Sequence, residues 1–131
     1  MSFTLRFDSR AQVLMITFGK TVTDDTFMAG FAAVRNFVAE YGPHHGITDF
    51  SGVESFDLTA GLLNQLGSMA PAFPIVMRRI VVATTAASYS SARIVQTLRL
   101  GSFAPIEIAG SADEAFAMLG TSRADLIETG R

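Results

Sequence analysis

The chain contains no cysteine and no tryptophan, one lysine (Lys20) and two histidines, the adjacent His44 and His45. The lack of cysteine excludes disulfides, zinc–thiolate sites and thiol nucleophiles, and leaves the redox compartment unread. Nine of the ten basic residues are arginine, scattered except for Arg78-Arg79, and the formal net charge is -2. That balance lacks the basic patch of a nucleic-acid binder, so no nucleic-acid partner is expected. No apolar run reaches the roughly 18 residues of a bilayer span, so no transmembrane segment is expected. The opening Met1-Ser2-Phe3-Thr4-Leu5-Arg6 lacks a basic region followed by an apolar run. It does not read as a signal peptide, and a cytoplasmic location is expected. Dinucleotide-binding glycine repeats, phosphate-binding loops and Gly-x-Ser-x-Gly elbows are missing too, so neither a cofactor nor a standard hydrolase activity has sequence support.

Hydrophobic residues make up 49% of the 131 residues, with eleven phenylalanines. A chain of this length buries roughly two thirds of its surface on folding and suits one domain. Phe3, Leu5 and Phe7 alternate with polar residues, the period of a half-buried strand. Asp8-Ser9-Arg10 reads as a turn, and Val13 to Phe18 as a strand buried on both faces, completing a hairpin. Thr23 reads as a helix N-cap, with Asp24 and Asp25 in the first turn. Phe27, Phe31, Val34, Val38 and Tyr41 recur at steps of four, three, four and three, which predicts one core-facing stripe. Gly42-Pro43 stops that helix.

A strand is expected from about Gly46 to Phe50, and a helix from about Thr59 burying Leu62, Leu63, Leu66 and Met69. Pro71 and Pro74 bracket the next loop. Ile80 to Ala83 reads as a buried strand, and a third helix begins near Ser88 with Ala92, Val95 and Leu98 inward. Ile106 to Ile108 is a short strand. Ser111 and Glu114 form a capping box for a last helix carrying Phe116 and Leu119. Thr59, Ser88 and Ser111 are read as N-caps.

The order β-β-α-β-α-β-α-β-α predicts a single α/β domain over residues 1–120. Its sheet is mixed and mainly parallel, with one antiparallel strand from the N-terminal hairpin at the edge. Residues 121–131 form a polar C-terminal tail.

In open α/β sheets ligands gather beyond the carboxyl ends of the strands. That end is expected to carry Asp49, Ser51 and Gly52, then Thr84, Thr85, Ser88 and Tyr89, then Gly110. Asp49 reads as the acceptor of an Asx turn onto Ser51 or Gly52, or as an acidic rim for a partner's basic group. Arg93 lies about one turn after Tyr89, so Thr84, Ser88, Tyr89 and Arg93 form a candidate anion or ligand pocket. The alternative for Arg93 is a surface salt bridge. Arg78-Arg79 reads as a solvated strand entry with its aliphatic stems on the surface.

His44 and His45 start the strand that ends at Asp49. Neighbouring strand residues point to opposite faces, so the pair does not chelate one ion and no metal site is expected. Five or six strand residues span about 16–20 Å, so neither histidine reaches Ser51 as a catalytic base.

Asp49-Phe50-Ser51-Gly52-Val53, followed by Asp57-Leu58-Thr59-Ala60-Gly61, resembles the paired turns of the STAS family. That is the fold of anti-sigma factor antagonists and of the cytoplasmic domains of sulfate transporters, and the element order is similar over nearly the whole chain. The resemblance implies a non-enzymatic regulatory or protein-interaction domain, meeting a protein partner through Asp49, Ser51, Asp57 and Thr59. Regulatory members carry a phosphorylated serine directly after the second aspartate. Here that position is Leu58, which has no hydroxyl, and the candidate phosphoacceptor becomes Thr59, at a helix N-terminus that favours an anion. A reading of a different class is a small-ligand or lipid-binding protein. Its apolar or anionic ligand would lie against Phe56, Phe73 and Tyr89, with Arg93 holding a charged head. Homodimerisation is compatible with both, because Phe-rich chains of this size leave apolar patches.

Overall fold

Alternation at Phe3, Leu5 and Phe7 builds the first strand of the computed structural model, which describes residues 3–42, 44–68, 77–98, 106–122 and 126–128. Strand β1 (Phe3–Asp8) pairs antiparallel with β2 (Val13–Phe18), from Phe3 opposite Phe18 to Asp8 opposite Val13. The Asp8 carboxylate closes the turn by accepting the Arg10 and Ala11 amides at 2.9 and 3.2 Å.

Helix α1 (Asp24–Tyr41) starts where the capping signal places it, the Thr23 hydroxyl accepting the Thr26 amide at 3.3 Å. It ends at Gly42, whose φ of 91° suits a residue without Cβ and whose amide donates to Val38 O. Its buried face is Phe27, Gly30, Phe31, Val34 and Phe37. The expected stripe is correct for its first three members and drifts after Val34. Val38 is half-buried and Tyr41 is 60% exposed. Phe37 turns inward instead because it meets Phe7 of β1 edge-on, ring centres 4.8 Å apart. Gly30 is required by close approach: a Cβ there would lie 2.9 Å from Ile16 Cδ1 and from Phe18 Cζ.

The remaining elements are β3 (Thr21–Thr23), β4 (His45–Asp49), β5 (Ser55–Asp57), α2 (Ala60–Gly67) and β6 (Arg79–Val82), then α3 (Ala86–Leu98), β7 (Ile106–Ala109), α4 (Ala112–Met118) and β8 (Ile127–Glu128). The main sheet has the order β7-β6-β4-β2-β1-β8. The β2–β4, β4–β6 and β6–β7 pairs are parallel, while β1 is antiparallel to both its neighbours. The fold is therefore the expected α/β domain with a mixed, mainly parallel sheet.

Three short strands were not legible in the sequence. β3 and β5 form a separate parallel pair of three residues each, too short for a period of two to register. β8 comes from the segment expected to be a polar tail. It lies against Arg6 and Phe7, so β1 is not the outermost strand along its whole length.

Alternation along the strands sends side chains to two faces. Leu14, Ile16, Phe18, Val81 and Ile106 pack with the buried faces of α1, α2 and α3. Val13, Met15, Ile47, Ile80, Val82 and Ala109 pack with Ala115 and Phe116 of α4. Three helices thus cover one face and α4 the other. Among the described residues no helix is long and apolar enough to cross a membrane.

Candidate functional site

The parallel strands β4, β6 and β7 end together, and the loops beyond them carry most of the residues singled out from the sequence. Asp49 ends β4 and is only 6% exposed. Its Oδ1 accepts the Ser51 amide at 2.8 Å, the Asx-turn alternative, which turns the carboxylate inward. Ser51 itself is exposed, and its carbonyl accepts a 3.4 Å bond from the Thr84 hydroxyl. Thr84 therefore ties the loop after β6 to the loop after β4.

Asp57 is exposed at the end of β5, opposite Thr23 in the short parallel pair. Thr59, also exposed, caps α2: its hydroxyl accepts the Leu62 amide at 3.2 Å. That hydroxyl also donates to Asp24 Oδ2 at 2.8 Å, while the Thr59 amide donates to Asp24 Oδ1 at 2.9 Å. One carboxylate from the first turn of α1 thus clasps the entry to α2. A phosphate on Thr59 would stand directly against that carboxylate, a repulsion opposing the favourable helix terminus.

The residues Thr84, Ser88, Tyr89 and Arg93 do not converge as an anion site. Ser88 is fully buried and is not the N-cap expected. The helix begins earlier, and Thr85 caps it reciprocally: the Ser88 amide donates to Thr85 Oγ1 at 3.0 Å and the Thr85 amide to Ser88 Oγ at 2.9 Å. Serine fills the place usually held by Glu or Gln in a capping box, which hid the signal. Tyr89 is half-exposed. Arg93 donates to Gln96 Oε1 at 2.8 Å, and Gln96 in turn donates to the carbonyl of Ile106 at 2.8 Å, the first residue of β7. That network anchors Arg93 toward the amino end of β7, away from Thr84, and it is not the surface salt bridge considered as an alternative.

What the fold does assemble is an apolar pocket of about 160 Å³, lined by Phe27, Phe50, Phe56, Leu58, Leu63, Ser91, Ile94 and Val95. Phe50 follows β4 and is completely buried, its ring 5.7 Å from Phe18, 6.5 Å from Phe27 and 5.1 Å from Phe56. β5 brings Phe56, the loop between β5 and α2 brings Leu58, α2 brings Leu63, and α3 brings Ser91, Ile94 and Val95. Of the pocket residues considered from sequence, Phe56 lines it, Tyr89 and Arg93 do not, and Phe73 lies outside the described residues. Leu58, which the family resemblance marks only as a missing hydroxyl, is one of its walls. The signal available in the sequence was the pairing of Phe56 with Leu58 two residues apart, the period of a strand face.

At the opposite end of the sheet, Arg79 corrects the expectation of a solvated strand entry, while Arg78 keeps a side chain that is 40% exposed. Arg78 forms a two-pronged pair with Glu107, Nη2 to Oε1 at 2.7 Å and Nε to Oε2 at 2.9 Å, and also donates to the Met118 carbonyl. Arg79 is 6% exposed and faces α1 among Ile16, Phe31 and Val34. Its Nη2 donates to Thr48 Oγ1 at 3.3 Å, and burial pulls the guanidinium pKa down to about 10. Arg78 immediately precedes β6 and Arg79 opens it, so alternation in extended chain sends the two side chains opposite ways.

His45 opens β4 and its Nδ1 accepts the Arg78 amide at 2.9 Å. His44 is buried against Phe7 and Phe37, and its Nδ1 has no hydrogen-bond partner among the described residues. Burial lowers the pKa of both rings, and for His45 the neighbouring Arg78 and His44 lower it further. Both histidines sit at the amino end of β4, away from Ser51. Among the described residues no group of three or more His, Asp or Glu is placed to hold a metal ion.

No family model matches the chain, and no curated protein matches it.

Proposed function

We propose that the protein is a non-enzymatic, STAS-like binding domain whose recognition element is the apolar pocket between β5, α2 and α3. The observation that carries this reading is the pocket itself: about 160 Å³ of space walled by three phenylalanines beside the carboxyl ends of the strands, where α/β sheets meet ligands. Its rim includes Ile94, which is 44% exposed, so a ligand need not cross the core to enter. The neighbouring polar residues support binding rather than catalysis. Asp49 is committed to its turn and Thr59 to Asp24, and both histidines lie at the far end of β4.

The test is ligand-induced stabilisation. Toluene should raise the melting temperature of the wild type and leave a Leu63→Trp variant, whose pocket is filled, unchanged. Native mass spectrometry of freshly purified protein should show a small adduct on the wild type alone. Wild type that gains no stability from toluene and carries no adduct would sink the reading.

Protein recognition is the second reading. It is supported by the exposure of Ser51, Asp57 and Thr59 on one rim, and of Tyr89 and Ile94 on α3. A partner captured by wild type and lost with Asp57→Arg would favour it. A partner that is a second copy of the chain would show as a mass that rises with concentration.

A further inference from the structure

We infer that the pocket selects a neutral, single-ring aromatic molecule carrying one hydrogen-bonding group, which it sets against Ser91. This rests on the pocket reading above and narrows it to a chemical class. Size comes first. An apolar cavity of roughly 150 Å³ accepts one benzene ring, and this pocket measures about 160 Å³. A long acyl chain or a fused polycyclic ligand would extend beyond that space, past the exposed Ile94 rim.

Chemistry comes second. Among the described lining residues Ser91 carries the one hydroxyl, and the others are apolar. Its hydroxyl makes no hydrogen bond to a described residue, and a serine hydroxyl can both donate and accept. A phenol, an aniline or an aryl ketone therefore satisfies it, and Phe56, the partly exposed phenylalanine of the lining, offers the ring an aromatic contact.

Charge comes third. Among the described residues no charged side chain lines the pocket, and Arg93 is engaged by Gln96, which is itself anchored on Ile106. A carboxylate entering the pocket would lose its hydration without gaining a counter-charge. The sequence-level idea of a charged head held by Arg93 is thereby replaced by a neutral group held by Ser91.

Calorimetry with toluene, p-cresol and 4-methylbenzoate tests this, using wild type and Ser91→Ala. Alanine suits a helix interior, so the variant should fold, which circular dichroism checks. The expected result is that p-cresol binds wild type about three- to tenfold tighter than toluene, the range of one net hydrogen bond. Ser91→Ala should erase that difference, the p-cresol affinity falling to that of toluene for the same variant, and 4-methylbenzoate should not bind detectably. Equal binding of toluene and p-cresol, an unaltered preference in Ser91→Ala, or binding of 4-methylbenzoate as tight as p-cresol would overturn the inference and leave the pocket reading intact. Failure of all three probes to bind wild type would overturn both.

Discussion

Asp24 and Thr59 stand 35 residues apart in the chain and are joined by two hydrogen bonds, from the Thr59 amide at 2.9 Å and from its hydroxyl at 2.8 Å. The pair links the first turn of α1 to the residue that caps α2, and α2 forms one wall of the pocket. A helix of eight residues is too short to be stable alone, so its position depends on such tertiary ties.

Asp24→Ala should therefore loosen α2. The pair faces solvent, so the cost in global stability is modest, about 1 kcal/mol by urea unfolding. Thr59→Glu should cost more in the wild type than in the Asp24→Ala background, because only the former sets two carboxylates together. A double-mutant cycle with no coupling between the positions would mean that the clasp carries no energy in solution.

Gly30 sets the distance between α1 and the sheet. Alanine favours a helix over glycine by about 1 kcal/mol, yet Gly30→Ala is expected to destabilise by about 1–3 kcal/mol through overpacking. The Ile16 Cδ1 methyl can rotate away, but Phe18 is held between Phe3, Phe27 and Phe50. Adding Phe18→Leu should recover part of the loss. A Gly30→Ala protein as stable as wild type would show that the helix shifts freely.

Arg79 offers a different test. Thr48→Val removes an acceptor from a buried guanidinium and should cost about 1–3 kcal/mol. Arg79→Met in that background removes the charge while keeping most of the volume. The double variant should regain stability over Thr48→Val alone, since well-packed apolar residues often equal or exceed buried polar pairs. Additive losses in chemical denaturation would contradict this.

The two histidines should make stability fall on acidification. Burial holds both rings below the ordinary value of 6.5 in the folded chain, so the unfolded chain takes up protons first as pH drops. The stability is complete above that value and declines as pH falls through it toward the lower folded values. Protonation at His45 Nδ1 would also break its bond from the Arg78 amide. Urea midpoints should decrease from about pH 7 to about pH 5, and His44→Phe with His45→Gln should flatten that slope. An identical slope in the double variant would assign the effect to carboxylates.

Much of the fold was legible because its signals are local. Thr23, Gly42 and Ser111 act at the positions where capping chemistry requires them. Asp49 closes its turn onto Ser51 because the acceptor and the amide are two residues apart. Alternation and the 3.6-residue repeat gave the β-α order and the α/β class. The same rules failed at the ends of elements. Tyr41 fits the helical repeat of α1 but projects beyond the sheet, and Ser88 resembles a cap but is buried one turn inside one.

The sequence alone determined the α/β class, the hairpin and the turn after β4, since each depends on residues within a few positions of one another. Tertiary structure alone decided what meets across long separations. It set Asp24 on Thr59, buried Arg79 beside Thr48, and turned Leu58 from an absent hydroxyl into a pocket wall. A pocket is a space between elements, and its volume depends on how three helices and two sheets pack together. Periodicity orients each side chain relative to its own element; only packing decides which orphan faces enclose the same space.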